Sequence, residues 1–294
     1  MTGNSASKPF ISASELADRL LDADPPAVLD ASIRLHSATF DGDYRKDILR
    51  DDWVTAHIPG SQYVNLVTQF SDESAPHHYT HPEPQAIADE LARLGIEQAR
   101  EVVVYDSTGT LFAARLWYVL RWIGVPVRVL DGGFAAWVAG GHPVASGDED
   151  APAPVPTWRA DAVRRAWVSK EELLERSEDT PLVCALPRGS FTGADPTRYT
   201  RRGRIPGSVN VSSRDLFTSD GHVKSRVELI LAYEQEGVHV GDEEVLLYCG
   251  GGISASGSAL TLAAIGQTAV RIYDGSLEEW SADPALPMEV GEPA

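Results

Sequence analysis

The chain has 294 residues, room for two domains of ordinary size, and 43% of them are hydrophobic, a globular composition. Its formal charge of −18 argues against a nucleic-acid partner or an anionic membrane surface, each of which would demand a basic face. If the substrate is an anion, the site must be locally positive within an acidic surface. The first ten residues, MTGNSASKPF, lack the apolar run of a signal peptide, and no stretch approaches the roughly 18 apolar residues of a membrane span. Two cysteines, Cys184 and Cys249, are too few for a disulfide framework; they predict a reducing, cytoplasmic setting.

In chain order, Ser12-Ala13-Ser14-Glu15 opens a helix with a Ser-x-x-Glu capping box. Ala27-Val28-Leu29-Asp30-Ala31 reads as a buried strand. His57-Ile58-Pro59-Gly60-Ser61 follows, then a second apolar strand, Val102-Val103-Val104-Tyr105, ending at Asp106. Leu111, Ala114, Arg115, Tyr118 and Trp122 fall at helical spacing, and Gly124 closes that helix. Asp131-Gly132-Gly133 with Trp137 completes the half. Residues 145–157 are acidic, rich in Pro and Ala and without hydrophobic period, which predicts an extended linker.

The same series then returns. Ser169-Lys170-Glu171-Glu172 caps a helix, and Pro181-Leu182-Val183-Cys184-Ala185 is the strand. Arg204-Ile205-Pro206-Gly207-Ser208 matches the His57 element. Val245-Leu246-Leu247-Tyr248 runs into Cys249, a helix is predicted over 255–265 before Gly266, and Asp274-Gly275-Ser276 with Trp280 comes last. Five matches in one order predict a duplicated domain, with halves at 8–144 and 158–294. Apolar strands alternating with amphipathic helices predict an α/β fold, a parallel sheet flanked by helices in each half. Trp117, Trp122, Trp137 and Trp280 are expected in the cores, and Glu278 and Glu279 on a solvated helix face.

The halves differ where the fourth major strand ends, the place where open α/β sheets bind ligands. The first half has Asp106-Ser107-Thr108-Gly109; the second has Cys249-Gly250-Gly251-Gly252-Ile253-Ser254. Three glycines let backbone N–H groups turn inward as an anion-binding nest, and the helix that follows adds its positive end. Such a loop favours a thiolate and would hold a persulfide equally well, with Ser254 as a further hydroxyl donor. No Gly-Lys-Ser/Thr follows, so a nucleotide P-loop is unsupported. Position 255 is Ala where a cysteine phosphatase needs Arg.

The paired halves, the His57 to Ser61 element, the Asp131-Gly132-Gly133 element and the single Cys249 loop together resemble the two-domain rhodanese and mercaptopyruvate sulfurtransferase family, over about residues 11–287. The resemblance implies two tandem rhodanese-like domains with the nucleophile, Cys249, in the second. It implies sulfur transfer from thiosulfate or 3-mercaptopyruvate to cyanide or a thiol by way of a Cys249 persulfide. It implies no organic cofactor and no metal, which agrees with the absence of Cys/His metal spacing. Gly250, Gly251, Gly252, Ile253 and Ser254 become the substrate-binding loop.

The loop has no basic residue, and Gly251 replaces the serine of the mercaptopyruvate pattern. That serine is assigned to a proton-transfer triad with a histidine, for which His57 is the match, with Asp52 or Asp47 near it. The family's Asp-x-Arg and its donor-binding arginine are replaced by Cys184, Leu186 and Ser190. Arg188 and Arg198 are the candidates to take over the anion. Cys184, at a neighbouring strand end, is a candidate redox partner of Cys249, against the simpler role of a buried filler. The alternative to an enzyme is a non-catalytic sulfur-sensing or scaffold protein, which the altered positions leave open.

Overall fold

A computed structural model describes residues 8–241 and 243–293. The first half holds strands β1 (Phe10–Ile11), β2 (Ala27–Asp30), β3 (Ile33–Leu35), β4 (Lys46–Ile48), β5 (Gln62–Tyr63), β6 (Val102–Tyr105) and β7 (Val127–Leu130). Its helices are α1 (Ala13–Arg19), α2 (Arg50–Thr55), α3 (Leu66–Gln69), α4 (Pro84–Arg93), α5 (Leu111–Trp122) and α6 (Gly133–Ala139). The second half holds β8 (Trp167–Val168), β9 (Leu182–Cys184), β10 (Val209–Asn210), β11 (Val245–Tyr248) and β12 (Val270–Tyr273). Its helices are α7 (Lys170–Leu174), α8 (Arg188–Thr192), α9 (Arg226–Glu234), α10 (Ile253–Ala264) and α11 (Ser276–Ala282), with a 3-10 turn at Ser213–Leu216.

Each half builds a five-stranded parallel sheet. The order is β1-β7-β6-β2-β5 in the first and β8-β12-β11-β9-β10 in the second, the same topology twice. Only the antiparallel pair β3–β4 has no counterpart among the described residues. Strands buried on both faces must be apolar throughout, which is why β6 and β11 read Val-Val-Val-Tyr and Val-Leu-Leu-Tyr. Alternation divides β6 between two cores. Val102 and Val104 pack with α4 and α5 residues such as Leu91 and Leu116, while Val103 and Tyr105 face Leu16 and Trp137.

The repeated elements prove to be fastenings. Tyr105 Oη meets Ser61 Oγ (3.0 Å) and accepts Ile58 N–H (3.4 Å); Tyr248 Oη meets Ser208 Oγ (2.7 Å) and accepts Ile205 N–H (3.1 Å). The Ile-Pro-Gly-Ser element therefore grips the tyrosine at the end of the central strand. Trp137 and Trp280 each donate their indole N–H to a carbonyl farther on, Pro143 O (2.7 Å) and Pro287 O (2.8 Å). The linker is extended but strapped down: Gly147 N donates to Val54 O (2.7 Å) and Val155 N to Ala92 O (2.9 Å).

Asp30 carries an electrostatic cost. It is 3% exposed and sits beside Asp106. Burial pushes its carboxyl from 3.8 up to about 6, against the pull of its hydrogen bonds from Ser32. The folded state thus holds a proton that the unfolded chain has lost between about pH 4 and 6. Stability falls as pH rises through that window and stays lowered above it, by roughly 3 kcal/mol for a shift of this size. Asp30→Asn should raise stability at pH 8 by up to that amount and change it little at pH 3.5. Urea denaturation at the two pH values checks this; an equal effect at both would refute the ionisation argument.

Candidate active site

The two domains meet helix to helix, α5 against α10. At Gly257 of α10, a Cβ would lie 2.6 Å from Leu111 Cδ2 of α5, so a larger residue there would have to push that side chain aside. Beside this contact opens a cleft of about 690 Å³ lined from both domains. Leu35, Tyr44, Tyr79 and Phe112 come from the first; Arg198, Tyr199, Arg214 and Cys249 come from the second.

Cys249 follows directly on β11 and is 1% exposed. Its N–H donates to Ser276 Oγ (3.1 Å), and that hydroxyl donates to Tyr273 O (2.7 Å). Leu277 N–H and Glu278 N–H in turn donate to Cys249 O (3.1 Å) and Gly250 O (2.9 Å). The start of α11 therefore holds the cysteine loop from behind. Ser276 adopts φ +48°, a left-handed conformation unusual for serine, in making this contact.

Gly252 is the left-handed N-cap of α10, with φ +80°. The helix begins at Ile253, two residues before the predicted start, because that glycine makes the turn. A Cβ on Gly252 would fall 2.7 Å from Arg115 Nη1 and 2.9 Å from Asp274 Oδ1. Arg115 reaches across from α5 and is completely buried. It pairs with Asp274 (2.7 Å), donates to Tyr79 O (2.5 Å) and stacks over Trp167 at 4.8 Å. Asp274 also accepts His81 N–H from the first domain (2.8 Å). An interdomain ion pair thus forms the floor of the cysteine loop.

No side chain caps α10. Among the described residues, the first N–H after Cys249 to find a protein acceptor is that of Ser256, on Gly252 O (3.1 Å). The backbone donors from Gly250 to Ala255, the six residues that follow the cysteine, have no protein acceptor. The first domain shows what such a loop holds. There the Asp106 carboxylate accepts N–H groups from Thr108 (2.8 Å), Thr110 (2.9 Å) and Ala113 (2.9 Å). The matching loop of the first half is an anion nest filled by its own side chain.

Gly250, Gly251, Ile253 and Ser254 line the cleft, whereas Gly252 lies behind it on Arg115. Arg198 also lines the cleft. One of its terminal nitrogens donates to His36 O, and its buried Nε has no protein partner.

Arg188 is elsewhere. It is 48% exposed, paired with Glu292 and stacked over Phe191 at 5.4 Å, so the expectation of an anion-binding role is corrected. His57 is corrected too. Its Nδ1 donates to Trp53 O (2.7 Å), its Nε2 meets Glu149 of the linker (3.0 Å), and it stacks on Trp53. Its match Arg204 binds Glu289 in the C-terminal segment in the same way (3.2 Å), so both positions fasten the strand that leaves the domain.

Cys184 does not line the cleft. Register pairs it with Tyr248, so the two share a face of the sheet. Burial pushes its thiol up to about 12, which keeps it protonated and poorly nucleophilic. Both cysteines are free. Glu278 is not solvated but takes His78 N–H (3.1 Å) and Nδ1–H (2.6 Å) across the interface.

Sequence reasoning missed Tyr199, Arg214 and the role of Arg115. A charged residue on the apolar face Leu111, Ala114, Tyr118 and Trp122 was the available signal for Arg115. Among the described residues, no group of three or more His, Cys, Asp or Glu could hold a metal, and no helix is long and apolar enough to cross a membrane.

Fold and site together define a tandem pair of α/β domains with one cysteine loop. Residues 12–140 and 170–283 each match the rhodanese-like domain, and the chain belongs to the rhodanese family. It is 33% identical over 242 residues to a thiosulfate sulfurtransferase of Gallus gallus, an alignment covering 79% of this chain and 80% of that protein. It is 29% identical over 286 residues to a 3-mercaptopyruvate sulfurtransferase of Escherichia coli K12, covering 95% and 97%. The crystal structure of SseA from Escherichia coli, a 3-mercaptopyruvate sulfotransferase, superposes with a TM-score of 0.77 at 29% identity, covering 92% of this chain and 99% of that one. With relatives of both names aligned over most of its length, the chain is a sulfurtransferase.

Proposed function

We propose that sulfur transfer here runs through a persulfide on Cys249, loaded from a small anionic donor of the thiosulfate or 3-mercaptopyruvate type and unloaded by a thiol or cyanide. The observation that carries this is the ring of unengaged N–H groups from Gly250 to Ala255, whose counterpart in the first domain holds a carboxylate. Thiolate and persulfide are both anions, and the loop stabilises either without rearranging. With thiosulfate, the Cys249 thiolate attacks the outer sulfur, the S–S bond breaks, and sulfite leaves with the electron pair. The acceptor then attacks the outer sulfur of the persulfide and restores the thiolate. The free thiols fit a reducing, cytoplasmic compartment, and the charge of −18 opposes a nucleic-acid partner.

Donor panels with thiosulfate and 3-mercaptopyruvate, followed by mass spectrometry of the peptide containing Cys249, test this directly. A gain of one sulfur, removed by cyanide or a thiol, is expected; no gain with any donor would favour a non-catalytic scaffold. Arg198 supplies positive charge in an otherwise acidic protein and would grip the donor's oxygens. Arg198→Ala should raise KM for an anionic donor tenfold or more, the worth of a charge-assisted hydrogen bond of about 1.5–3 kcal/mol. Arg188→Ala should leave KM unchanged. Equal effects from the two would remove Arg198 from the site.

A further inference from the structure

The phenol of Tyr199 lies directly on the cysteine loop. A Cβ at Gly250 would collide with the Tyr199 hydroxyl, so the first glycine after the nucleophile is required by that ring as well as by the loop. Tyr199 also lines the cleft beside Cys249. The segment that carries it is rigidly held. Thr200 N donates to Ser281 Oγ (3.2 Å), and Arg201 donates to Ser281 O (2.8 Å), Asp283 O (2.6 Å) and Leu286 O (2.8 Å). On its other side Thr197 N donates to Asp41 of the first domain (2.9 Å).

Tyr63, Tyr118 and Tyr233 commit their hydroxyls to protein groups, Ser32 O (2.9 Å), Ala166 O (2.6 Å) and Ser258 O (3.3 Å), whereas the buried hydroxyls of Tyr79 and Tyr273 have no protein partner. Among the described residues the Tyr199 hydroxyl donates to none. Burial, and next the charge of Cys249, push its ionisation far above the ordinary phenol value, so it stays a neutral O–H donor. The hydroxyl is therefore free to donate into the cleft, and the group beside it that gains negative charge in the reaction is the sulfur.

We propose that Tyr199 is a catalytic residue whose hydroxyl donates a hydrogen bond to the reacting sulfur, first the Cys249 thiolate and then the outer sulfur of the persulfide. The bond complements the backbone donors of the loop from the opposite side. No proton is transferred; the phenol stays neutral while negative charge moves from one sulfur to the next. The persulfide half of this assignment rests on the function proposed above.

The test is the pH dependence of Cys249 alkylation by iodoacetamide, a neutral reagent, in the wild type and in Tyr199→Phe, which keeps the ring. Mass spectrometry of the Cys249 peptide keeps Cys184 out of the reading. The inflection should move up by about one unit, a tenfold change in the ionisation constant. In turnover, kcat should fall about tenfold with little change in KM for the donor, as for an interaction made with the reacting atoms. Gly250→Ala, which displaces the phenol without removing it, should move the inflection the same way. An unmoved inflection in folded Tyr199→Phe overturns the proposal. Alkylation needs no sulfur donor, so this failure is distinct from a wild type that takes up no sulfur, which would overturn the persulfide instead.

Discussion

Cys249→Ser should abolish sulfur transfer, by a thousandfold or more on the order of magnitude expected for a lost nucleophile, and leave both domains folded. A serine hydroxyl is scarcely ionised near neutral pH, and the loop offers backbone donors that stabilise an anion but no base that would create one. Serine cannot carry a sulfur atom as a persulfide. The fold should tolerate the change, because Oγ is smaller than Sγ and would point at unengaged N–H groups that can satisfy it. Three readings decide it: thiocyanate formed from cyanide, the mass of the peptide containing residue 249, and the thermal midpoint. Substantial thiocyanate formation by a folded Cys249→Ser protein would refute the role of Cys249.

Arg115→Leu should lower stability by about 3–5 kcal/mol. The replacement leaves the largely buried Asp274 without its countercharge, and the desolvation of that carboxylate is then offset only by His81 N–H. Because Gly252 rests on this pair, the cysteine loop loses its floor, so activity per folded molecule should fall along with stability. Adding Asp274→Asn removes the stranded charge and keeps an acceptor for His81 N–H. The double variant should recover much of the stability but not the loop geometry. Urea denaturation and turnover of the wild type and the two variants check both parts. A single variant as stable as the wild type would show that the pair contributes little.

Duplication was legible because each repeated residue has a local task. Serines cap helices, Ile-Pro-Gly-Ser grips the strand tyrosine, and the tryptophans tie down the exit segments. The cysteine loop was legible for the same reason: glycines, strand end and helix start lie within a few residues of each other. The long-range partners were not legible. Arg188 and Arg198 are close in the sequence and equally charged, yet α8 sends the first toward Glu292 and the next loop brings the second into the cleft. His57 fits a catalytic motif in the sequence, but its ring goes to Trp53 and the linker.

The α/β class, the two halves and the position of the glycine-rich loop after Cys249 were readable from the residues alone. These depend on periodicity and short spacing, which neighbouring residues dictate. It took the folded arrangement to show that α5 packs on α10 and sends Arg115 beneath Gly252, and that Tyr199 rests on Gly250. That arrangement alone decided that Cys249 lines the cleft and Cys184 does not. Those contacts join residues far apart in the chain, and which distant side chains meet is set by the packing of whole sheets and helices.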